Sequence, residues 1–367
     1  MSAGVDPVPA TDPVLALPTD LGAPSMSDGF PAGMMADHHL LLLADDVTAD
    51  EVEALALSLD LHSGWVGAGR LQLAPGACLL GPWEIPEGTH DSLGLPGWVS
   101  QVMVLDCPPQ RAGALPGFMA GKDALMDCFP QALPTGLELA ALERLRDIAR
   151  RLAGAVRVAP GGQVVTPDPE RSTMLAVYSP VWLTPDAAEV LLARFSPGVA
   201  TGFQLAAEVQ VDREAVQAEA HRLVDTVGAE AMDAAWTLAQ EEEKRRAANG
   251  ADGDGDELDG YSLVMPIDPA RQDWGGIELR ARGVTELPLS VLGEEWAAGP
   301  GALRYVITWQ PVEVRDAFAE HLPADRAAER HAVRELIEQV AAAVLGAVGG
   351  VVVDDCGFLV SLEALEA

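Results

Sequence analysis

Four cysteines and seven histidines are the raw material for nucleophilic or metal chemistry in this chain. Cys78, Cys107, Cys128 and Cys356 stand singly, with no Cys-x-x-Cys pair and no partnered histidines. Structural zinc draws on close pairs of ligands, so neither a metal site nor a cofactor is expected. Unpaired thiols of this kind are expected to be reduced and mostly buried. Cys107 lies between an apolar run and Pro108-Pro109 and is the best placed of the four to act as a nucleophile. A thiol needs a base to activate it, and none stands near Cys107 in sequence. His38-His39 offer two adjacent imidazoles, too few for a metal site, and His221 and His331 fall within helical patterns.

The carboxylates are abundant without being arranged. Asp45-Asp46, Glu294-Glu295 and Asp354-Asp355 are neighbours in sequence, whereas acid–base catalysis needs two carboxyls held in different environments across a cleft. Asp354-Asp355 falls in a hairpin-turn pattern, where Asp is favoured for backbone reasons. Asp252, Asp254 and Asp256 imitate the opening of a calcium loop. The imitation stops at Glu257, where that loop needs glycine, and at Leu263, where it needs a bidentate glutamate. The glycine pairs Gly161-Gly162, Gly275-Gly276 and Gly349-Gly350 belong to no phosphate-cradling motif. There is no Gly-x-Ser-x-Gly elbow and no His-Glu-x-x-His. No catalytic residue is assigned.

Tryptophan is the enriched type, with eight Trp against three Tyr and seven Phe. Trp182 and Trp309 fall at strand ends, and Trp274 falls in a glycine-rich turn. Core filling is the plainer account of them. The sharper one is a groove of aromatic anchors, because Trp is over-represented in binding hot spots. Trp182, Trp274 and Trp309 are therefore the expected partner-binding residues.

A formal charge of −33 limits the partners. Phosphate backbones and anionic membranes both need clustered Lys and Arg, and no basic block exists. A basic protein is the partner class that remains, and a charge of this size also keeps a protein soluble. No apolar run reaches the roughly 18 residues of a membrane span. The first residues lack the basic region and apolar core of a signal peptide, so a cytoplasmic location is expected.

Residues 1–37 are rich in Pro, Gly, Ala, Ser and Asp and read as a disordered leader. Leu40 to Leu43 then reads as a buried strand, and Thr48 with Glu51 forms a capping box for a short helix. Strands are expected at Cys78-Leu79-Leu80 and at Val102 to Leu105. A helix follows from Leu137, stops at Gly154, and gives way to a hairpin through Val156-Arg157-Val158 and Gln163-Val164-Val165. The last forty residues repeat that unit. Val333, Leu336, Ile337, Val340, Val344 and Val348 share one helical face, Gly349-Gly350 stops the helix, and a strand, turn and strand follow.

Other pieces match as well. Leu175 to Tyr178 reads as a strand, and Thr184-Pro185 starts a helix where Thr48-Ala49 does upstream. Further strands are expected at 262–265, 277–280 and 304–309. From its first strand to its closing glycine the second stretch is 61 positions longer than the first, close to the length of the block 199–260. Within that block Val216, Ala220, Leu223, Val227, Ala231, Ala234 and Leu238 form a helical seam across 211–248, followed by an acidic linker.

The expected fold class is α+β: a tandem duplication of a ferredoxin-like (split βαβ) unit, antiparallel sheets with helices on one face. Residues 38–170 form the first unit, and 171–367 form the second with the insertion at 199–260. The terminal helix, Gly-Gly, Val-rich strand, Asp turn and strand resemble the closing unit of ferredoxin-like interaction domains. The C-terminal domain of the division protein ZipA, which binds a partner's peptide on its sheet, is one of these. That resemblance implies a fold and leaves the function open. Two sheets in one chain provide what a homodimer would, so a monomer is favoured. The function expected is non-enzymatic protein binding or regulation, including neutralisation of a basic partner as in an immunity pair. The alternative is a hydrolase whose carboxylates or Cys107 come together only in three dimensions.

Overall fold

The structure, a computed structural model, describes residues 32–201 and 260–365 except 87, 118, 269–273, 300, 314–315 and 317–321. The helical seam, His221 and the acidic tract up to residue 259 lie outside the described residues, as do residues 1–31.

The leucine run forms β1 (His39–Leu43), which is buried along its whole length. Both of its faces are covered. Leu41 and Leu43 pack with Leu145 and Ile148, whereas Leu40 and Leu42 pack with Trp83, Val102 and Met35. A strand with no wet face reads as an unbroken apolar run, without alternation. Met35 belongs to α1 (Ala32–Asp37) and has no exposed surface. The expected leader boundary at 37 is thus corrected, because residues 32–37 are ordered and cover β1.

The first set of elements continues with α2 (Ala49–Leu59), β2 (Gly64–Gly67), β3 (Arg70–Ala74), β4 (Ala77–Glu84), α3 (Thr89–Leu93) and β5 (Gln101–Asp106). A short ribbon of β6 (Arg111–Ala112) and β7 (Leu133–Pro134) flanks α4 (Ala124–Asp127). Then come α5 (Gly136–Arg151), β8 (Ala155–Val158) and β9 (Gln163–Val165). Thr48 and Glu51 cap α2 reciprocally, as the sequence predicts. The sheet order is β2-β3-β4-β5-β1-β8-β9.

The second set runs β10 (Met174–Ser179), α6 (Pro185–Leu192), β11 (Ala200–Thr201), β12 (Tyr261–Pro266), β13 (Gly276–Val284) and β14 (Ala302–Gln310). It ends in α7 (Ala324–Val348), β15 (Val351–Asp354), β16 (Leu359–Val360) and α8 (Leu362–Leu365). Its sheet order is β11-β12-β13-β14-β10-β15-β16. Numbered within each set with the ribbon β6–β7 left out, the two orders are the same, and all described pairings are antiparallel. The fold is thus a mixed α/β one with antiparallel sheets and several helices.

The stop after α7 has a steric cause. Gly350 has φ +98°, and a Cβ there would run into the Tyr178 carbonyl. The hairpin that follows crosses to the other half of the molecule. Phe358, between β15 and β16, is buried in the core of the first sheet, among residues such as Leu145 and Ile148.

Candidate functional site

Three places gather chemistry-bearing side chains. The first is at the start of α5. Glu138 is buried and accepts from Arg111 Nε at 2.7 Å, from Arg111 Nη2, from the Gln110 N–H at 2.7 Å and from His39 at 3.1 Å. His39 Nδ1 accepts the Ala159 N–H at 3.1 Å, so the ring proton sits on Nε2 and is donated to Glu138. Arg111 also stacks over Phe129, 4.2 Å from its centroid. Gln110 Oε1 takes the Leu137 N–H at 2.8 Å, doing for the helix start what Thr135 does not. The network pins the ribbon β6–β7 to α5.

Burial would raise the Glu138 carboxyl, but hydrogen bonds from Arg111 and His39 outweigh it and hold it below its usual range. Burial lowers His39 more than Glu138 raises it. Cys107 lies in the field of Glu138. Its burial and that charge push the thiol up to about 11. A thiol held this high is protonated at neutral pH, the opposite of an activated nucleophile.

The depressed His39 value has a direct consequence for stability. Folded His39 refuses a proton that the unfolded chain accepts, so stability rises with pH through this group. The contribution is complete above about 6.5, the ordinary histidine value, and is lost as the pH falls below it. Urea titrations from pH 7.5 to 5.5 are expected to show a steeper loss for the natural chain than for His39→Gln, which keeps a donor for Glu138. Equal slopes would assign the pH dependence elsewhere.

The second place is aromatic. Tyr305 donates its hydroxyl to the Val181 carbonyl at 2.7 Å and accepts the Leu183 N–H at 2.8 Å. That clamp presents Trp182 outward, 37% exposed and edge-on to Tyr261 at 5.5 Å. Val181 and Val190 are exposed too. Trp309 is different. It is 2% exposed, packs in the second core, and donates its indole N–H to the Trp274 carbonyl at 3.2 Å. The expectation that Trp309 contacts a partner is corrected: it faces the helices, on the side of Leu303, Tyr305 and Ile307. Trp274 is half-buried beside it, and of these three Trp182 is the most exposed.

The third place is a cavity of about 150 Å³ where the two halves meet. Asp147, Arg150 and Arg151 of α5 line one side. Arg334 and Glu338 of α7 line another, with Ser172 from the linker and Asp354 from the final hairpin. Arg150 pairs with Asp355 at 3.0 Å and also touches the Cys356 thiol. Arg151 donates to the Leu359 carbonyl at 3.0 Å, and Arg334 pairs with Glu338 at 2.9 Å. Arg330, fully buried, pairs with Asp168 at 3.1 Å and fixes the linker. Burial raises both Asp147 and Asp354. Asp354 Oδ1 accepts the N–H groups of Cys356 and Phe358 at 2.9 Å each, the backbone role expected of it. The ligand atoms of Asp354, Asp355 and Cys356 lie within 4.8 Å of one another. Burial pushes the Cys356 thiol up, and Asp355 is already paired with Arg150, so the trio carries no proposal as a metal site.

The sequence reading missed this cavity. Its walls come from four segments up to about two hundred positions apart, and no local spacing marks them. Among the described residues no helix is long and apolar enough to cross a membrane. No protein-family model, curated protein or solved structure matches the chain.

Proposed function

We propose that the chain is a non-enzymatic binding protein made of two copies of a ferredoxin-like unit, 38–170 and 171–367, with a helical insertion in the second. The shared strand order supports the duplication: in each set the fourth, first, third and second strands of a split βαβ unit are adjacent, with extra strands at the edges. The observation that carries the binding role is Trp182, held outward by a buried tyrosine hydroxyl. An exposed indole on a rigid loop gives large apolar contact at little entropic cost. The partner is a protein with a basic surface, suited to the −33 charge, and the chain acts as a cytoplasmic monomer that binds neither nucleic acid nor membrane.

The hydrolase reading has one observation in its favour: besides Glu338, which pairs with Arg334, the carboxyls of Asp147 and Asp354 line one cavity. Burial shifts both in the same direction, so they do not divide into an acid and a base. One of them is already engaged by backbone amides. Binding is the better account.

The test is Trp182→Ala. The melting temperature is expected to stay within a few degrees, while capture of the native partner, identified by purification from the source cell, falls at least tenfold, about 1.4 kcal/mol. Undiminished capture would remove Trp182 from the interface.

A further inference from the structure

We propose that the cavity between the two halves is a binding site for a small zwitterion, an α-amino acid with a short apolar side chain. This deepens the reading of the chain as a non-catalytic binding protein by naming a ligand that would regulate it.

Charge is the first argument. The chain as a whole carries 23 basic against 56 acidic residues. The cavity departs from that ratio, because Arg150, Arg151 and Arg334 face Asp147, Glu338 and Asp354. Equal numbers of both signs suit a ligand with one charge of each sign better than a simple anion or cation.

Unspent valence is the second. Arg151 is exposed, and its guanidinium makes a single hydrogen bond, through Nη2 to Leu359. Arg334 uses Nε and Nη1 on Glu338 and Pro169, which leaves Nη2 to donate. Together they offer the planar donors that carboxylates prefer. Asp147 lies 4.0 Å from Arg150 and takes a hydrogen bond from the Cys356 thiol, which leaves carboxylate lone pairs free for an ammonium. A cation there would reverse the upward shift that burial gives this carboxyl.

Size and floor are the third. The volume is roughly ten times what one ordered water needs and well below the roughly 300–1,000 Å³ of drug-sized sites. Leu175 and Ile337 supply an apolar wall for a short side chain. The occupant would touch α5, α7 and the final hairpin at once, so binding would tighten the junction.

The experiment titrates the full chain with each common L-α-amino acid, read by calorimetry and thermal melting. At least one with a short apolar side chain is expected to bind saturably, one per chain, and raise the melting temperature. The same compound lacking its amino group, or lacking its carboxyl group, is expected to bind at least tenfold more weakly. Arg151→Gln should weaken binding at least tenfold without changing the melting temperature of the unliganded chain, because its side chain is exposed. Asp147→Asn should do the same to binding. Absence of saturable binding at millimolar concentration overturns the proposal, as does undiminished binding by both variants. Capture of the partner through Trp182 is read separately, so failure here leaves that reading standing, and failure there leaves this one.

Discussion

Phe358→Ala is expected to lower stability by about 3–5 kcal/mol, the usual cost of emptying a buried phenylalanine site. It should also split a single unfolding transition into two. The ring sits on the hairpin of the second sheet but is buried among Leu145, Ile148 and other residues of the first core. The polar contacts across the same junction are weaker supports. Arg150–Asp355 is partly exposed, and pairs of that kind contribute about 0–1 kcal/mol. The aromatic plug is thus an apolar join between the halves, beside the packing of α2 against Leu289–Val291. Calorimetry and urea unfolding followed by two probes would read both effects. A loss below about 1 kcal/mol with one coincident transition would mean that the halves are joined some other way.

Trp309→Ala is the second large effect, again about 3–5 kcal/mol. The indole fills the core between β14 and the helices, and its N–H holds the Trp274 carbonyl where the chain turns into β13. Alanine there leaves a cavity and removes the hydrogen bond to the Trp274 carbonyl, and the helices can close the gap only in part. Trp182→Ala provides the contrast. Exposed and clear of the core, it should fall within about 0.5 kcal/mol of the natural chain. Equal losses for the two variants would contradict the assignment of one tryptophan to the interior and the other to the surface.

Trp309 also shows how much of the site was legible. Leu303, Tyr305, Ile307 and Trp309 alternate with Arg304, Val306, Thr308 and Gln310, and the first four are the buried ones. The period of two in that strand already placed Trp309 on the side of Leu303 and Ile307. Its position at a strand end, taken as a sign of exposure, carried less information than its parity. Trp182 had no such signal, because it stands in a loop whose direction is set by Tyr305, more than a hundred positions away.

Elsewhere the local patterns were sufficient. The capping box at Thr48, the leucine run of β1, the helices before Gly154 and Gly349, and the closing hairpins all stand where residue types and spacing placed them. The short edge strands β2 and β3 and the ribbon β6–β7 were not legible. Gly64-Trp65-Val66-Gly67 is too short to show a period, and its pairing depends on what lies alongside it.

By itself, then, the sequence determined the longer helices and central strands, the apolar stripe of each long helix, and the stops at Gly154 and Gly349. Those properties depend on neighbours within one or two turns of chain. The tertiary structure alone decided that His39 meets Glu138, that Phe358 enters the other half's core, and that Asp147, Arg151 and Arg334 share one cavity. Periodicity specifies an apolar face but not which face it meets. An ion pair or a cavity across a hundred positions exists only once every intervening turn has been made.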